Sequence, residues 1–407
     1  MINKALLELK PHTSTIDDVL EKYKKYNHLS FEKGIRLSKP SKKNTIIPSI
    51  RFATETDAPE IAEIFKDVYK GTYSYPSMED PEAICQLIKD PNFGLVVFTL
   101  NDQIVIGCAG YRVNLKRKTG TIHGFIIRKE YQGISNLIQI SIASLYTMLH
   151  SYYQKILVWG AEVRSGHTKS QYLGQFFGFL PLAFLPKKDY FYHREESEIL
   201  YVLYDKLALN GLRDWRIPVI PTNPQQYRCY YYAHKKLGLD FPFDEPPSSL
   251  KLDEIKISQL RKIIDKNPEI DTYGNLMVEF RIRGTDSSIN FFHNTRIQNA
   301  ERLTYSTSSP EELACLLKEV YRYFEEHQLR YIEAFVSAYE VEDQLLFLKN
   351  HFKAMGYIPA YHYDEKTGLF GDQVVYVLYQ GELNTSNLRM LDDSRELVSA
   401  INPNWSI

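Results

Sequence analysis

Apolar residues along this chain alternate between the spacings that separate strands from helices. Residues 49–53 read as a strand. Asp57-Ala58-Pro59-Glu60 then opens a helix whose apolar positions, Ile61, Ile64, Phe65 and Val68, recur at helical spacing. Asp80-Pro81-Glu82-Ala83 starts a second helix through Ile88. Strands follow at 95–100, 103–113 and 121–127, the first two joined by an Asn101-Asp102 turn. A long, mostly apolar helix is expected at 135–150, a buried strand at 156–163, a helix at 170–177 and a strand at 198–204. Ahead of all these, Ser14-Thr15-Ile16-Asp17 offers a capping-box-like start for an amphipathic helix to about Tyr26. The basic stretch Lys39-Pro40-Ser41-Lys42-Lys43-Asn44 reads as the linker after it, and the arm as a packing strap.

The second half repeats part of this order. Gly178-Phe179-Leu180-Pro181 precedes Tyr201-Val202-Leu203-Tyr204, and Gly356-Tyr357-Ile358-Pro359 precedes Tyr376-Val377-Leu378-Tyr379. The tetrads begin 178 residues apart and the strands 175 apart, so the spacing inside each copy barely drifts. Such self-similarity implies duplicated units. Between the copies lie Trp215-Arg216-Ile217-Pro218, a helix at Pro224–Leu237, the boundary loop Glu245-Pro246-Pro247-Ser248-Ser249 and a short helix at 258–265. Strands near 276–282 and 288–292, a helix at 310–328 and a strand at 331–338 complete the second unit. The expected fold is α/β (α+β) with a mixed central sheet: an arm at 1–48, a complete unit at 49–205, a connecting segment at 206–274, a truncated unit at 275–381, and a polar, poorly packed tail at 382–407.

Length and composition narrow the partners. A chain of 407 residues suits two or three domains, and 44% apolar content is enough for real cores. A formal net charge of −1 exerts no long-range pull on nucleic acid or anionic lipid. The first ten residues lack the apolar core of a leader, and no run approaches the roughly 20 apolar residues of a membrane helix. Cys85, Cys108, Cys229 and Cys315 are scattered, without paired spacing or nearby histidine. They read as reduced, mostly buried thiols in a cytoplasmic protein without a metal site.

The element order is that of the GNAT (N-acetyltransferase) superfamily. The resemblance is carried by Ile50-Arg51-Phe52-Ala53-Thr54-Glu55-Thr56-Asp57-Ala58, Val105-Ile106-Gly107-Cys108-Ala109-Gly110-Tyr111, Ile127-Arg128-Lys129-Glu130-Tyr131-Gln132-Gly133 and Gly178-Phe179. It spans roughly 49–205, and more weakly 275–380. It resembles bacterial two-copy members with a His-x-x-Ser-Gln element, here His167-Thr168-Lys169-Ser170-Gln171. The resemblance implies an acyl-CoA donor and a small-molecule amine acceptor. It also implies that the donor diphosphate sits on main-chain amides after the fourth strand, where a helix start attracts anions. Here Ile127, Gln132, Gly133, Ile134, Ser135, Asn136 and Leu137 would line that turn, with Ser135 and Leu137 replacing the family's small residues. The alternative for this turn is a helix start capped by Ser135 with no ligand. The stretch 295–310 in the second copy contains no glycine and offers no such cradle.

Amide formation needs a base for the acceptor ammonium, dipoles for the thioester carbonyl and an acid for the leaving thiolate. His123 is the titratable group on the strand at 121–127, and its ordinary pKa suits a base. The alternative for it is a structural histidine. By resemblance His167, with Ser170 and Gln171, would lie near the donor sulfur; the alternative is that His167 and Ser170 cap the helix there. The family's thiolate-protonating tyrosine falls on Gly174, with Tyr172 a poor substitute. Glu162 or Arg164 could hold the acceptor. Tyr190-Phe191-Tyr192, Tyr230-Tyr231-Tyr232 and Tyr361-His362-Tyr363 read as packing before pocket. The leading expectation is acyl transfer to an amine. Its rivals are a non-catalytic ligand sensor or partner module, and acyl transfer from the phosphopantetheine arm of an acyl carrier protein.

Overall fold

The computed structural model describes residues 9–12, 14–36, 48–132, 136–215, 219–240, 242–244 and 250–405. Their strands form one 15-stranded mixed sheet. The N-terminal half supplies β1 (Ile35–Arg36), β2 (Pro48–Phe52), β3 (Phe93–Leu100), β4 (Ile104–Asn114), β5 (Thr119–Ile127), β6 (Val158–Arg164), β7 (Leu180–Phe191) and β8 (Arg194–Tyr204). The C-terminal half supplies β9 (Ile264–Ile270), β10 (Leu276–Ile282), β11 (Ser288–Asn294), β12 (Asn299–Ser306), β13 (Tyr331–Ser337), β14 (Lys353–Asp364) and β15 (Leu369–Tyr379).

The order across the sheet is β1-β2-β3-β4-β5-β6-β8-β7-β14-β15-β13-β12-β11-β10-β9. Apart from β1, it reads alike from either edge inward, so β2 holds the place of β9, β5 of β12, β6 of β13 and β7 of β14. The parallel pairs among these strands, β5–β6 and β12–β13, occupy matching places. Parallel neighbours need a crossover, and the helices Asn136–Ser151 and Pro310–Glu326 provide them. The halves meet where β7 pairs with β14 at Ala183 and Gly356. A Cβ on Gly356 would fall 2.5 Å from the Ala183 Cα and from the Leu182 carbonyl oxygen, so this approach requires glycine.

One difference between the halves decides where a site can form. Between β2 and β3 lie the helices Ala58–Tyr69 and Pro81–Lys89, which bury Ile61, Ile64, Phe65 and Ile84 over the sheet. Between β9 and β10 there is only a tight turn at 271–275. The expected helix at 258–265 sits earlier, at Glu254–Arg261, and β9 begins at Ile264. Its Pro268 and charges suit an edge strand. The capping box expected at Ser14–Asp17 sits one residue later, between Thr15 and Asp18, and the helix it opens, Ile16–Lys22, buries Ile16 and Val19 on the main core before a tighter turn at Lys24–Tyr26. The expected linker at 39–44 lies outside the described residues.

The C-terminal segment corrects the expectation of a loose tail. Residues Asp392–Ile401 form a helix that buries Leu397, Val398 and Ile401. Arg228 closes its end by donating to the carbonyls of Ala400 (2.8 Å) and Ile401 (2.9 Å). Among the described residues no helix is long and apolar enough to cross a membrane.

Candidate active site

β5 and β6 pair only from Thr119–Val158 to Ile122–Ala161, although β5 continues to Ile127 and β6 to Arg164. The two strands therefore part over their last residues, beyond the Ile122–Ala161 pair. Beside this parting β5 carries a bulge. Gly110 pairs with His123 and Cys108 with Ile126, and Gly124 takes the left-handed conformation (φ 65°) that glycine tolerates. β12 has the matching bulge: Phe292 pairs with Glu301, Asn290 with Thr304, and Arg302 is left-handed (φ 57°). His123 and Glu301 thus hold equivalent places.

Their surroundings are opposite. Thr121 and His123 are exposed, whereas Glu301 is buried at 4%. The cover over Glu301 comes from the segment between the two N-terminal helices. Tyr75 donates to Glu301 (2.8 Å), Asn294 donates to the Ser74 carbonyl (2.8 Å), and Arg296 donates to the Gly71 carbonyl. The C-terminal half lacks the helices that would cover His123 in return. One cleft is filled and the other stays open.

His123 stacks on Phe93 with ring centroids 5.1 Å apart. Solvent reaches the ring from one side while protein surrounds the rest. This burial, then Arg112 and Arg302, press its pKa down to about 4, against a pull upward from Glu162. It is neutral at pH 7 and a weaker base than its residue type suggests. Glu162, at the end of β6, accepts from Lys188 (2.6 Å) and keeps 38% of its side chain exposed. Arg164 is committed to Glu196 (2.7 and 2.5 Å) and lies over Phe191 at 4.3 Å. The rings of Tyr69, Tyr73, Phe191 and Tyr192 pack together there, and the Tyr192 hydroxyl donates to the Val68 carbonyl (2.9 Å).

On the other side of the parting, Gln132 donates to the Ile127 carbonyl (3.0 Å) and accepts from Lys169 (3.1 Å). This ties the end of β5 to the helix Lys169–Phe176. Gly133, Ile134 and Ser135 lie outside the described residues, as do the side chains of Asn136 and Leu137. The helix itself begins at Asn136. The Nδ1 of His167 and the hydroxyl of Ser170 are buried without a hydrogen-bond partner. Burial first, then Arg164, hold the His167 pKa below its ordinary value. Neither residue caps the helix: Thr168 occupies the cap position, and no side chain bonds there.

Gln171 corrects the sequence reading. Its amide donates to the carbonyls of Arg164 (3.2 Å), His167 (3.0 Å) and Arg389 (2.7 Å), and accepts from the Leu391 N–H (3.1 Å). This fully buried side chain ties the loop after β6 to the C-terminal segment. At Gly174 a Cβ would meet the Tyr201 ring at 3.2 Å, and Tyr172 is exposed.

Sequence reasoning missed the charges behind Glu162. Lys188, 1% exposed, also donates to Glu333 (3.1 Å), which accepts from Tyr331 (2.6 Å). Asn299 donates to the Lys188 carbonyl (2.7 Å) and to Glu301 (3.1 Å). The available signal was Lys187-Lys188-Asp189 and Glu195-Glu196-Ser197-Glu198 standing inside strands that otherwise bury their side chains. At the start of Pro310–Glu326, Glu312 accepts from Ser287 (2.8 Å) and the Ser308 N–H (2.9 Å). The C-terminal half fills its own helix start with a carboxylate. Among the described residues no cluster of His, Cys, Asp and Glu could hold a metal ion.

No protein-family model matches this chain, and no curated protein matches it. Solved structures do. One is the ribosomal-protein-S5-alanine acetyltransferase of Vibrio fischeri, at 18% identity, covering 42% of this chain and 97% of that one, with a TM-score of 0.34. Another is a ribosomal-protein-alanine N-acetyltransferase of Brucella melitensis, at 21% identity, 38% and 99% coverage, and a TM-score of 0.33.

Proposed function

We propose that the chain is an acyltransferase moving an acetyl or other acyl group from acyl-CoA to the amine of a small acceptor. In this reading the N-terminal half is the working unit and the C-terminal half is a degenerate second copy of it. The observation that carries the reading is the parting of β5 and β6. It lies next to an open His123 face on one side and to two buried polar atoms without partners, His167 Nδ1 and Ser170 Oγ, on the other. Buried polar atoms are rarely left unpaired, so this pair suits a polar guest. The matching bulge and parallel pair in the C-terminal half, with its covered Glu301 and self-occupied helix start, support the two-copy reading.

The donor supplies a thioester carbonyl activated for attack. The acceptor nitrogen forms a C–N bond as the C–S bond breaks; the ammonium loses its proton and the departing thiolate gains one. The parted main-chain groups of β5 and β6 hold the donor arm, and the helix start at Asn136 faces its diphosphate. His123, neutral, accepts a hydrogen bond from the acceptor amine. Glu162, a carboxylate at the end of β6 with 38% of its side chain exposed, receives the proton. With Gly174 in place of a phenol, the thiolate takes its proton from solvent or from the acceptor. Gly174 also favours the non-catalytic rival.

Titration calorimetry with acetyl-CoA, followed by thiol release with a panel of amines, tests the proposal. Micromolar to low-millimolar binding and amine-dependent thiol release are expected. Absence of heat and of release refutes it; binding without release on any amine leaves the ligand-sensing rival. Transfer from an acylated carrier protein but not from acyl-CoA moves the donor to the carrier.

A further inference from the structure

β7 is interrupted where it passes between the two halves. Leu185 pairs with Glu198 and Asp189 with Glu196, so β7 carries extra residues against β8. Lys187 takes the left-handed conformation (φ 60°) there, and a bulge of this kind re-aims the side chain beside it. Lys188, 1% exposed, is delivered between one carboxylate of each half, donating to Glu162 (2.6 Å) and Glu333 (3.1 and 3.3 Å). Burial pulls its ammonium down, but Glu162 and Glu333, then Glu301 and Glu198, outweigh that and hold it well above its ordinary value. Lys188 is a cation at neutral pH.

Packing alone does not require that charge. β14 has the matching bulge: Ile358 pairs with Gln373 and His362 with Gly371, and Ala360 is left-handed (φ 47°). The residue after it is Tyr361, whose hydroxyl stands 3.5 Å from where a Cβ on Gly160 would be. One place in the fold is thus filled once by a neutral ring and once by an ammonium, and the buried ammonium is the costlier choice. What Lys188 has that Tyr361 lacks is a partner in the cleft. Glu162 stands one residue past the Ile122–Ala161 pair, as does His123, and keeps 38% of its side chain exposed. Among the described residues the Glu162 side chain hydrogen-bonds with Lys188 alone. The other side of Lys188 is fixed by the C-terminal half: Glu333 accepts from Tyr331 (2.6 Å), and Asn299 donates to the Lys188 carbonyl (2.7 Å).

We infer that Lys188 is a positioning residue for Glu162: held by Glu333 and Asn299 of the C-terminal half, its ammonium fixes the Glu162 carboxylate at the parting of β5 and β6. The C-terminal half then acts on the cleft without lending it a group that touches the substrate. No proton leaves Lys188, which keeps its three N–H groups and orients the group that takes the proton. The consequence for rate rests on the acyl-transfer reading, in which Glu162 is that group; the placing of Glu162 does not.

Steady-state thiol release by the full chain, in single and double variants, tests this. Lys188→Met is expected to lower kcat about tenfold while the KM for acyl-CoA stays within about twofold of wild type. In a Glu162→Gln background the same change is expected to cost less than about twofold, because Lys188 acts through Glu162. A structural lysine would cost the same factor in both backgrounds. That result, or an unchanged kcat in folded Lys188→Met, overturns the inference. Should Lys188→Met fail to fold, Glu333→Gln leaves Lys188 its charge but loosens its hold; a several-fold loss that vanishes in the Glu162→Gln background is expected, and equal losses in both overturn the inference. Crystal structures of wild type and the folded variant give a readout independent of activity: Glu162 is expected to leave its place in the variant, and an unmoved Glu162 overturns the inference. Absence of thiol release from wild type with every donor and amine refutes the acyl-transfer reading and leaves the crystals to decide this one. Release that Lys188→Met does not alter keeps acyl transfer and removes the role of Lys188.

Discussion

His123 sits where the cleft's electrostatics can be measured without knowing the substrate. Burial and then Arg112 depress it from 6.5 to about 4. At pH 7 a group of that pKa is charged in about one molecule in a thousand, against about one in four at 6.5. A nuclear magnetic resonance titration of the histidine ring signals, with the His123 signal identified by its loss in His123→Gln, should place its midpoint near 4. In Arg112→Gln the midpoint should rise but stop short of 6.5, because burial, the larger cause, stays. The consequence for rate follows. A well-matched general base contributes about 10²–10⁴-fold. A base whose conjugate acid lies about three pH units below neutrality falls short of that, so His123→Gln should cost about tenfold in kcat at pH 7.5. A midpoint at or above 6.5, indifferent to Arg112→Gln, would refute the field described for this cleft. A loss of a thousandfold in rate would refute the assignment of the proton to Glu162.

Three further outcomes follow from packing. His234 Nε2 accepts from Arg213 (2.6 Å) and Nδ1 donates to the Tyr230 carbonyl (2.9 Å), and burial with Arg213 lowers its pKa to about 3. The folded value lies below the unfolded 6.5, so the unfolded chain binds that proton first. The stability it contributes is complete above about pH 6.5 and drains as pH falls toward 3, at up to roughly 1.4 kcal/mol per pH unit. Urea denaturation of His234→Gln between pH 6 and 5 should show a slope shallower than wild type by that amount, and parallel slopes would contradict it. Gly356→Val should cost about 3 kcal/mol or more in the same assay, because its Cβ meets the Ala183 and Leu182 backbones at 2.5 Å; an unchanged urea midpoint would place the seam elsewhere. Gln171→Leu leaves the Arg389 carbonyl and Leu391 N–H unpaired and should cost about 1–3 kcal/mol. It should raise the KM for donor more than it lowers kcat, and direct loss of donor contact would instead abolish binding at intact stability.

The periodic helices were legible in the sequence because each has one buried face. Ala58–Tyr69 and Pro224–Leu237 follow their apolar spacing, caps and terminal Lys70 or Gly238 closely. β7 and β14 were not legible: Pro181, Lys187, Lys188 and Asp189 interrupt the first, and Pro359 the second. Partners in distant sequence bury those residues, and a local pattern cannot show that. β12, with its bulge at Arg302, hid for the same reason. The tail misled because Asp392, Asp393, Arg395 and Glu396 dominate its composition, while Leu397, Val398 and Ile401 sit on one face. His123, His167 and Ser170 were read from their positions along the chain relative to the expected strands and helices. The charges behind Glu162 come from β6, β7, β8, β12 and β13, and only the folded sheet assembles them.

The account turns on a thioester donor entering between β5 and β6. A crystal structure of the protein with coenzyme A decides it. The prediction is a pantetheine arm lying between residues 123–127 and 162–164, with its sulfur end toward His123 and its diphosphate at the start of Asn136–Ser151. Coenzyme A bound only elsewhere would contradict the account. One such place is the cavity of about 630 Å³ lined by Gln298, Glu325, His327, Gln328, Arg330 and Gln380.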